Sequence, residues 1–148
     1  MPEELRRSAH AVWNGDLRGG NGTITAPSGI FTDVPYKFST RFENSPGTNP
    51  EELIAAAHAA CYSMAFSNVL AKKGYQPRNI HTQATAIFSP KEGGGYRLSR
   101  MILEVDGEVA GLDQNAFQQE AEEGERACPV SNLLRPGLDA IEVHAKLK

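Results

Sequence analysis

The longest apolar run of the chain, residues 53–66, lies inside a predicted buried helix over residues 50–73. Asn49 can cap its start, Pro50 suits the first helical position, and Gly74 follows its end. The middle of this stretch is apolar or small almost all the way round. Because a helix without a polar face is buried in a core or between subunits, we expect this helix to form the centre of the fold.

Alternating apolar and polar positions predict strands on both sides of this helix. A glycine-rich turn at residues 19–22 separates the first two strands and predicts a hairpin rather than a phosphate-binding loop. Three consecutive glycines separate two later strands in the same way. The predicted elements are, in order, strands 8–16, 22–26 and 35–42, helix 50–73, strands 80–89 and 96–109, helices 114–126 and 129–134, and strand 141–147.

This order of elements predicts an α+β fold. Hairpins rather than βαβ crossovers connect the strands, which favours largely antiparallel sheets. The length predicts one domain over residues 1–148. Each sheet has one face to cover, and the central helix is its natural cover. Since one chain does not bury that helix on every side, we expect a homodimer.

Composition and charge argue against several classes of function. The net charge is −3 and Lys and Arg do not cluster, so neither nucleic acid nor an anionic membrane is an expected partner. The N-terminal segment lacks the apolar core of a signal peptide, and the apolar run 53–66 is interrupted and too short to span a bilayer. We therefore expect a cytoplasmic, reducing location, where disulfides are more often transient and catalytic than structural.

The two cysteines carry the chemical argument. Cys61 lies in the apolar helix, and Cys128 lies directly before Pro129 at a predicted helix start. From composition alone, two buried, inert cysteines are as plausible as two reactive ones. However, the N–H dipoles of a helix start favour a thiolate at Cys128, and a thiolate is the form that attacks peroxide oxygen. Desolvation disfavours a thiolate at Cys61, so a nucleophilic Cys61 needs a cation beside it.

Arg41, on the predicted third strand, is the best candidate for that cation, and a solvated arginine on an exposed strand face is the alternative. Glu51 is a natural partner for its guanidinium, or else stabilises the helix N-terminus. Ten residues of helix separate Glu51 from Cys61 by about 15 Å, so the two do not touch within one helix. Either Arg41 spans this distance, or Glu51 serves the Cys61 of another subunit.

His58 lies one turn before Cys61 on the same helix face. The pattern His-x-x-Cys can begin a zinc site or a Cys–His nucleophile pair. A metal site needs more ligands at suitable spacing, and the remaining histidines are scattered along the chain. A packed core histidine is therefore the favoured interpretation.

The segments around these residues resemble the OsmC/Ohr family of thiol peroxidases. The matching segments are Gly47–Leu53, Ala56–Cys61 and Ala127–Ser131, and Thr40–Glu43 is similar to the OsmC branch. The resemblance implies an OsmC-like fold, in which antiparallel sheets wrap around a long buried central helix in an intertwined homodimer. It also implies a metal-free peroxidase that reduces organic hydroperoxides and hydrogen peroxide and is recycled by an external dithiol, possibly of the lipoyl type.

The same resemblance implies a role for each candidate residue. Cys61 resembles the peroxidatic cysteine and Cys128 the resolving cysteine, which implies a Cys61 sulfenic acid followed by a Cys61–Cys128 disulfide. Glu51 matches the family glutamate and Arg41 the OsmC-type arginine. Arg18 is the alternative arginine, because the Ohr branch draws its arginine from nearer the N-terminus.

Two other classes of function stay open at this point. One is a small-molecule-binding protein that has the same fold and inert cysteines. The other is a metal-binding protein that uses His58 and Cys61. A Cys61–Cys128 linkage after treatment with hydroperoxide is expected only of the peroxidase.

Overall fold

The computed structural model describes residues 2–148 and has an α+β architecture. It contains two three-stranded sheets, ordered β1-β2-β3 and β4-β5-β6, and one long helix, so the predicted fold class is confirmed. The elements are β1 (His10–Asn14), β2 (Asn21–Thr25), β3 (Val34–Tyr36), α1 (Phe38–Phe42), α2 (Pro50–Lys72), β4 (Pro77–Pro90), β5 (Tyr96–Val109), α3 (Gln114–Ala127), α4 (Pro129–Leu134), a 3-10 turn (Arg135–Gly137) and β6 (Ala140–Leu147).

The chain divides into two compact units, and each is described by itself. The first unit ends at Pro50 and the second unit spans Glu51–Lys148. The first unit contains the sheet β1-β2-β3, in which both pairs of neighbours are antiparallel. Gly20 fixes its first turn, because a Cβ there would lie 2.4 Å from the backbone oxygens of Asn14 and Asp16. The predicted hairpin is therefore confirmed.

The predicted strand 35–42 is wrong in its second half. β3 ends at Tyr36, and the helix α1 follows almost at once. Thr40 explains this change, because its hydroxyl donates to the Lys37 carbonyl at 2.9 Å and accepts from the Lys37 N–H at 3.0 Å. The bond from the Lys37 N–H to the side chain of the third helical residue is one half of a capping box, and it favours a helix start over a continued strand.

Phe38 and Phe42 show why the alternating pattern was misleading. The two positions share one face of a strand, but they also lie one turn apart on a helix. In α1 their ring centroids are 4.8 Å apart. Arg41 is consequently carried by a short helix and not by the predicted strand.

The sheet of the second unit contains the other departure from the sequence prediction. β4 and β5 form a long antiparallel hairpin, whose turn includes the three glycines 93–95 at positive φ. β6, however, pairs with β5 in parallel, from Arg100 opposite Ala140 to Gly107 opposite Leu147. A parallel neighbour requires a long crossover connection, which α3 and α4 supply. The sheets are thus largely antiparallel, with one parallel pair at β6.

The core of the second unit lies where one face of α2 meets β5 and α3. Phe66 of α2 packs edge-on against Phe117 of α3, with ring centroids 5.2 Å apart. The Tyr62 hydroxyl donates to the Ala121 carbonyl at 2.8 Å. Gly124 permits this close packing of the two helices, because a Cβ there would lie 3.0 Å from the Phe66 Cα. The buried core residues are Tyr62, Phe66, Leu70, Leu103, Val105, Val109, Phe117, Ala121 and Cys128.

The opposite face of α2 is exposed in the single chain. Ala56, Ala57, Ala60 and Met64 lie on this face, and Met64 is 76% exposed. The expectation that one chain does not bury the helix on every side is therefore confirmed. By length and composition α2 is also able to cross a membrane, contrary to the sequence estimate, but the core helix of a soluble protein passes the same test. Its other face is packed into the core just described.

Candidate active site

Two free thiols lie side by side in the second unit. Cys61 is carried by α2 and is partly exposed, whereas Cys128 lies between α3 and α4 and is fully buried. Cys61 packs against the core cluster that contains Cys128, and the adjacent Cys128 thiol raises the pKa of Cys61. The fold therefore brings together the two sulfur atoms of the chain, although they are far apart in the sequence.

Cys128 lies at the junction of two helices, where α3 ends and α4 begins. Its backbone N–H donates to the Glu125 carbonyl at 3.2 Å, and its own carbonyl accepts from the Asn132 N–H at 3.0 Å. Its sulfur accepts from the Ser131 N–H at 3.4 Å, in the position of a helix N-cap. Pro129 occupies the first turn of α4, as the sequence predicted. The sulfur thus faces the N-terminus of a helix.

The surroundings of Cys61 disfavour its thiolate. Burial raises the pKa of the Cys61 thiol, a hydrogen bond from the Val130 backbone lowers it, and the adjacent Cys128 thiol raises it again. The net effect is a pKa above the ordinary value. Thiolate chemistry at Cys61 therefore requires a cation that the two cysteines and Val130 do not supply.

Arg41, the predicted source of that cation, belongs to the first unit. Its guanidinium carbon lies 5.2 Å from the centroid of the Phe42 ring, within cation–π range. The alternative, Arg18, lies 4.8 Å from the centroid of the Phe38 ring in the same unit. Arg41 also borders a pocket of about 220 Å³ with an aromatic lining, formed with Trp13, Leu17, Tyr36, Lys37, Phe38 and Phe42.

Glu51 lies in the first turn of α2 and is 8% exposed. A carboxylate in this turn complements the positive end of the helix dipole. Cys61 follows ten residues later in the same helix, which puts the two about 15 Å apart along the helix axis. The pairing of Glu51 with Arg41 stays a prediction, as do the catalytic roles of both residues.

His58 is a core histidine, as the sequence analysis favoured. It is fully buried, and its Nε2 lies 2.7 Å from the Ser131 hydroxyl. Burial lowers the pKa of His58, Glu125 raises it, and Arg135 lowers it. Among residues 2–148 no group of three or more His, Cys, Asp and Glu side chains is placed to hold a metal ion. The bond to Ser131 connects α2 to α4 and has no signature in the sequence, because 73 residues separate its partners.

Comparison with known proteins identifies the family. The model of the OsmC-like protein family matches residues 42–142 of the chain. The chain therefore belongs to the OsmC-like family, as its sequence motifs predicted. It is 40% identical over 131 residues to Peroxiredoxin OsmC of Escherichia coli (strain K12), covering 88% of this chain and 91% of that protein.

More distant relatives and solved structures agree with this assignment. The chain is 27% identical over 123 residues to Organic hydroperoxide resistance protein OhrB of Bacillus subtilis (strain 168), covering 82% of this chain and 88% of that protein. The crystal structure of OhrB of Bacillus subtilis superposes with a TM-score of 0.68 at 23% identity, over 94% of this chain and 98% of that one. The crystal structure of an OsmC-like protein from Mycoplasma pneumoniae superposes with a TM-score of 0.70 at 16% identity, over 98% of this chain and 99% of that one. These structures confirm the predicted OsmC-like fold.

Proposed function

We propose that this chain is a cysteine-based, metal-free peroxidase that reduces organic hydroperoxides, and also hydrogen peroxide, through Cys61 and Cys128. The observation that carries the proposal is the contact between these two free thiols. The relatives support a hydroperoxide as the substrate, since their names are Peroxiredoxin OsmC and Organic hydroperoxide resistance protein. The predicted class of enzyme, a peroxidase of the oxidative stress response, is confirmed by the same relatives.

The first step takes place at Cys61, because its sulfur is the more accessible of the two. The Cys61 thiolate attacks the terminal oxygen of the hydroperoxide, an S–O bond forms and the O–O bond breaks. The departing alkoxide takes up a proton and leaves as an alcohol, while Cys61 becomes a sulfenic acid. Arg41, oriented by Glu51, offsets the cost of ionising the desolvated Cys61 and polarises the peroxide.

The second step takes place between the two cysteines. The Cys128 sulfur attacks the sulfenic sulfur of Cys61, an S–S bond forms, and the hydroxyl group leaves as water with the proton of the Cys128 thiol. An external dithiol then reduces the disulfide by thiol–disulfide exchange, and a dithiol of the lipoyl type is the proposed reductant. The contact between the thiols in the reduced protein supports a short path to this disulfide.

A homodimer in the cytoplasm is part of the same proposal. The exposed small and apolar face of α2, which includes Ala60 and Met64, is a surface that a second copy of the chain can cover. The distance of about 15 Å between Glu51 and Cys61 suits a site completed by two chains. A reducing compartment suits an enzyme whose disulfide must be reopened in every cycle.

Peptide mapping after one equivalent of an organic hydroperoxide tests the proposal. We expect a Cys61–Cys128 linkage together with one equivalent of the corresponding alcohol. Cys61→Ser should abolish turnover with a dithiol and keep the fold, since the substitution is nearly isosteric. The alternative, a small-molecule-binding protein with inert cysteines, predicts no linkage and no alcohol. Dithiol-dependent turnover in Cys61→Ser would contradict the assignment of the nucleophile.

A further inference from the structure

His58 and Ser131 form a buried polar contact that the proposed chemistry does not use. Both side chains are fully buried, and His58 Nε2 lies 2.7 Å from the Ser131 hydroxyl. The other ring nitrogen of His58, Nδ1, is buried without a hydrogen-bond partner among residues 2–148. The orientation of the ring therefore depends on its bond to Ser131. Burial of a polar group costs free energy unless a hydrogen bond compensates for it, so the bond to Ser131 stabilises His58 in this position.

His58 and Ser131 each lie next to one of the two cysteines. His58 lies in α2 one turn before Cys61, on the same face of the helix. Ser131 lies in the first turn of α4, where its backbone N–H donates to the Cys128 sulfur at 3.4 Å. Ser131 thus contacts α2 through its side chain and Cys128 through its backbone. The bond between the two residues fixes the start of α4 against the helix that carries Cys61.

α4 needs such a connection because it has only six residues. An isolated helix of this length is not stable, so contacts with the rest of the fold determine its position. At the far end of the segment, Arg135 donates to the Glu125 carboxylate at 2.5 Å and so connects α4 to α3. The segment from Cys128 to Arg135 is therefore held at both ends, and His58 holds the end that carries the sulfur.

We propose that His58 and Ser131 are positioning residues for the resolving step, whose hydrogen bond keeps the Cys128 sulfur beside that of Cys61. This inference rests on the proposed function, in which Cys128 attacks the oxidised Cys61. Intramolecular reactions depend steeply on geometry, and a displacement of about 1 Å can cost about 100-fold in rate. Loss of the bond should therefore slow formation of the disulfide and leave the first reaction of Cys61 unchanged.

A peroxide-free assay measures the two steps separately. A small aromatic disulfide reagent reacts with the partly exposed Cys61, which forms a mixed disulfide and releases one coloured thiolate. The Cys128 thiolate then attacks the Cys61 sulfur, the Cys61–Cys128 bond forms, and a second coloured thiolate leaves. The rate of the second release reports how well Cys128 is positioned. Wild-type protein is expected to release both thiolates, and the Cys128→Ser variant only the first.

Four variants make the test specific. Ser131→Ala and His58→Leu each remove one partner of the bond and should slow the second release by about tenfold or more, with the first release unchanged. The double variant should be no slower than either single variant, because all three lose the same bond. Ser63→Ala is the matched control: its hydroxyl bonds to the Ala59 carbonyl and to Thr82, both at 2.8 Å, and to neither element around Cys128. In Ser63→Ala the Cys61–Cys128 disulfide should therefore form at the wild-type rate.

The outcomes separate the inference from the proposed function. Unchanged closure in Ser131→Ala and His58→Leu, or equally slow closure in Ser63→Ala, overturns the positioning role. If one of the two variants does not fold, as judged by circular dichroism, the other decides. Normal closure of the wild-type disulfide without any hydroperoxide turnover would overturn the proposed function and leave the positioning role supported by the variants.

Discussion

Protonation of the buried His58 should weaken the fold below neutral pH. Burial lowers the pKa of His58 from the ordinary value of 6.5, with Glu125 opposing this shift and Arg135 adding to it. Between the lowered value and 6.5 the unfolded chain therefore binds a proton that the folded chain does not. The free energy of unfolding consequently rises with pH in this window. The contribution of His58 reaches its full value above about pH 6.5 and is lost as the pH falls towards the lowered pKa.

The magnitude follows from linkage of one proton. The free energy of unfolding should fall by up to about 1.4 kcal/mol for each pH unit below 6.5. Urea unfolding of the reduced protein between pH 5 and pH 8 measures this slope. The carboxyl groups of Glu123, Asp139 and Glu142 have pKa values held below the ordinary range by basic partners, so they lose their contributions at lower pH and do not produce the same slope.

His58→Leu should remove most of this slope, since leucine does not titrate. His81→Gln is the matched control, because His81 is exposed and lies 3.7 Å from Asp106 at the surface. That variant should keep the wild-type dependence on pH. If His58→Leu and the wild type showed the same slope, the buried neutral histidine would not be the source, and the argument from burial would be refuted.

Three further predictions test the catalytic residues and the assembly. Cys128→Ser should consume one equivalent of hydroperoxide and then accumulate sulfinic acid at Cys61 in intact-mass spectra, because no internal thiol traps the sulfenic acid; equal labelling of this variant and the wild type by a sulfenic-acid probe during turnover would contradict the resolving role. Arg41→Ala should raise the pH of half-maximal Cys61 alkylation by about one unit or more. Arg41→Lys should raise it by less, since lysine keeps the charge but not the planar fork of donors. If Arg18→Ala shifted this pH and Arg41→Ala did not, the role would belong to Arg18. Ala60→Asp, on the exposed face of α2, should give insoluble or unfolded protein, while wild type scatters light as a dimer at low micromolar concentration; a fully active wild-type monomer would show that the interface argument is wrong.

The central helix was predictable from sequence because its signals are local. Pro50 begins α2 as predicted, and Gly74, at a φ of +88°, follows its last turn. The Tyr75 N–H reaches back to the Leu70 carbonyl at 3.0 Å, which completes a C-cap of the kind that glycine permits. The start of α4 at Pro129 is a local signal of the same type.

The departures arise where local signals are ambiguous or absent. Phe38 and Phe42 fit one face of a strand and one face of a helix equally well, and only the side chain of Thr40 favours the helix. The parallel pairing of β6 depends on the path of α3 and α4, which the period of hydrophobic positions does not encode. The candidate site shows the same limit, because its cysteines were identified from sequence but the bond between His58 and Ser131 depends on the folded chain.

The two proposed steps depend on different parts of the molecule. Burial and, to a smaller extent, the adjacent Cys128 thiol raise the pKa of Cys61, so the arrangement that favours the disulfide disfavours the initial thiolate. The first step therefore needs a cation from outside the cysteine pair, the role proposed for Arg41. The second step needs the pair held together within the second unit, the role proposed for His58 and Ser131. Arg41 variants should consequently slow the oxidation of Cys61 and leave closure of the disulfide unchanged. Ser131 variants should slow closure of the disulfide and leave the oxidation of Cys61 unchanged.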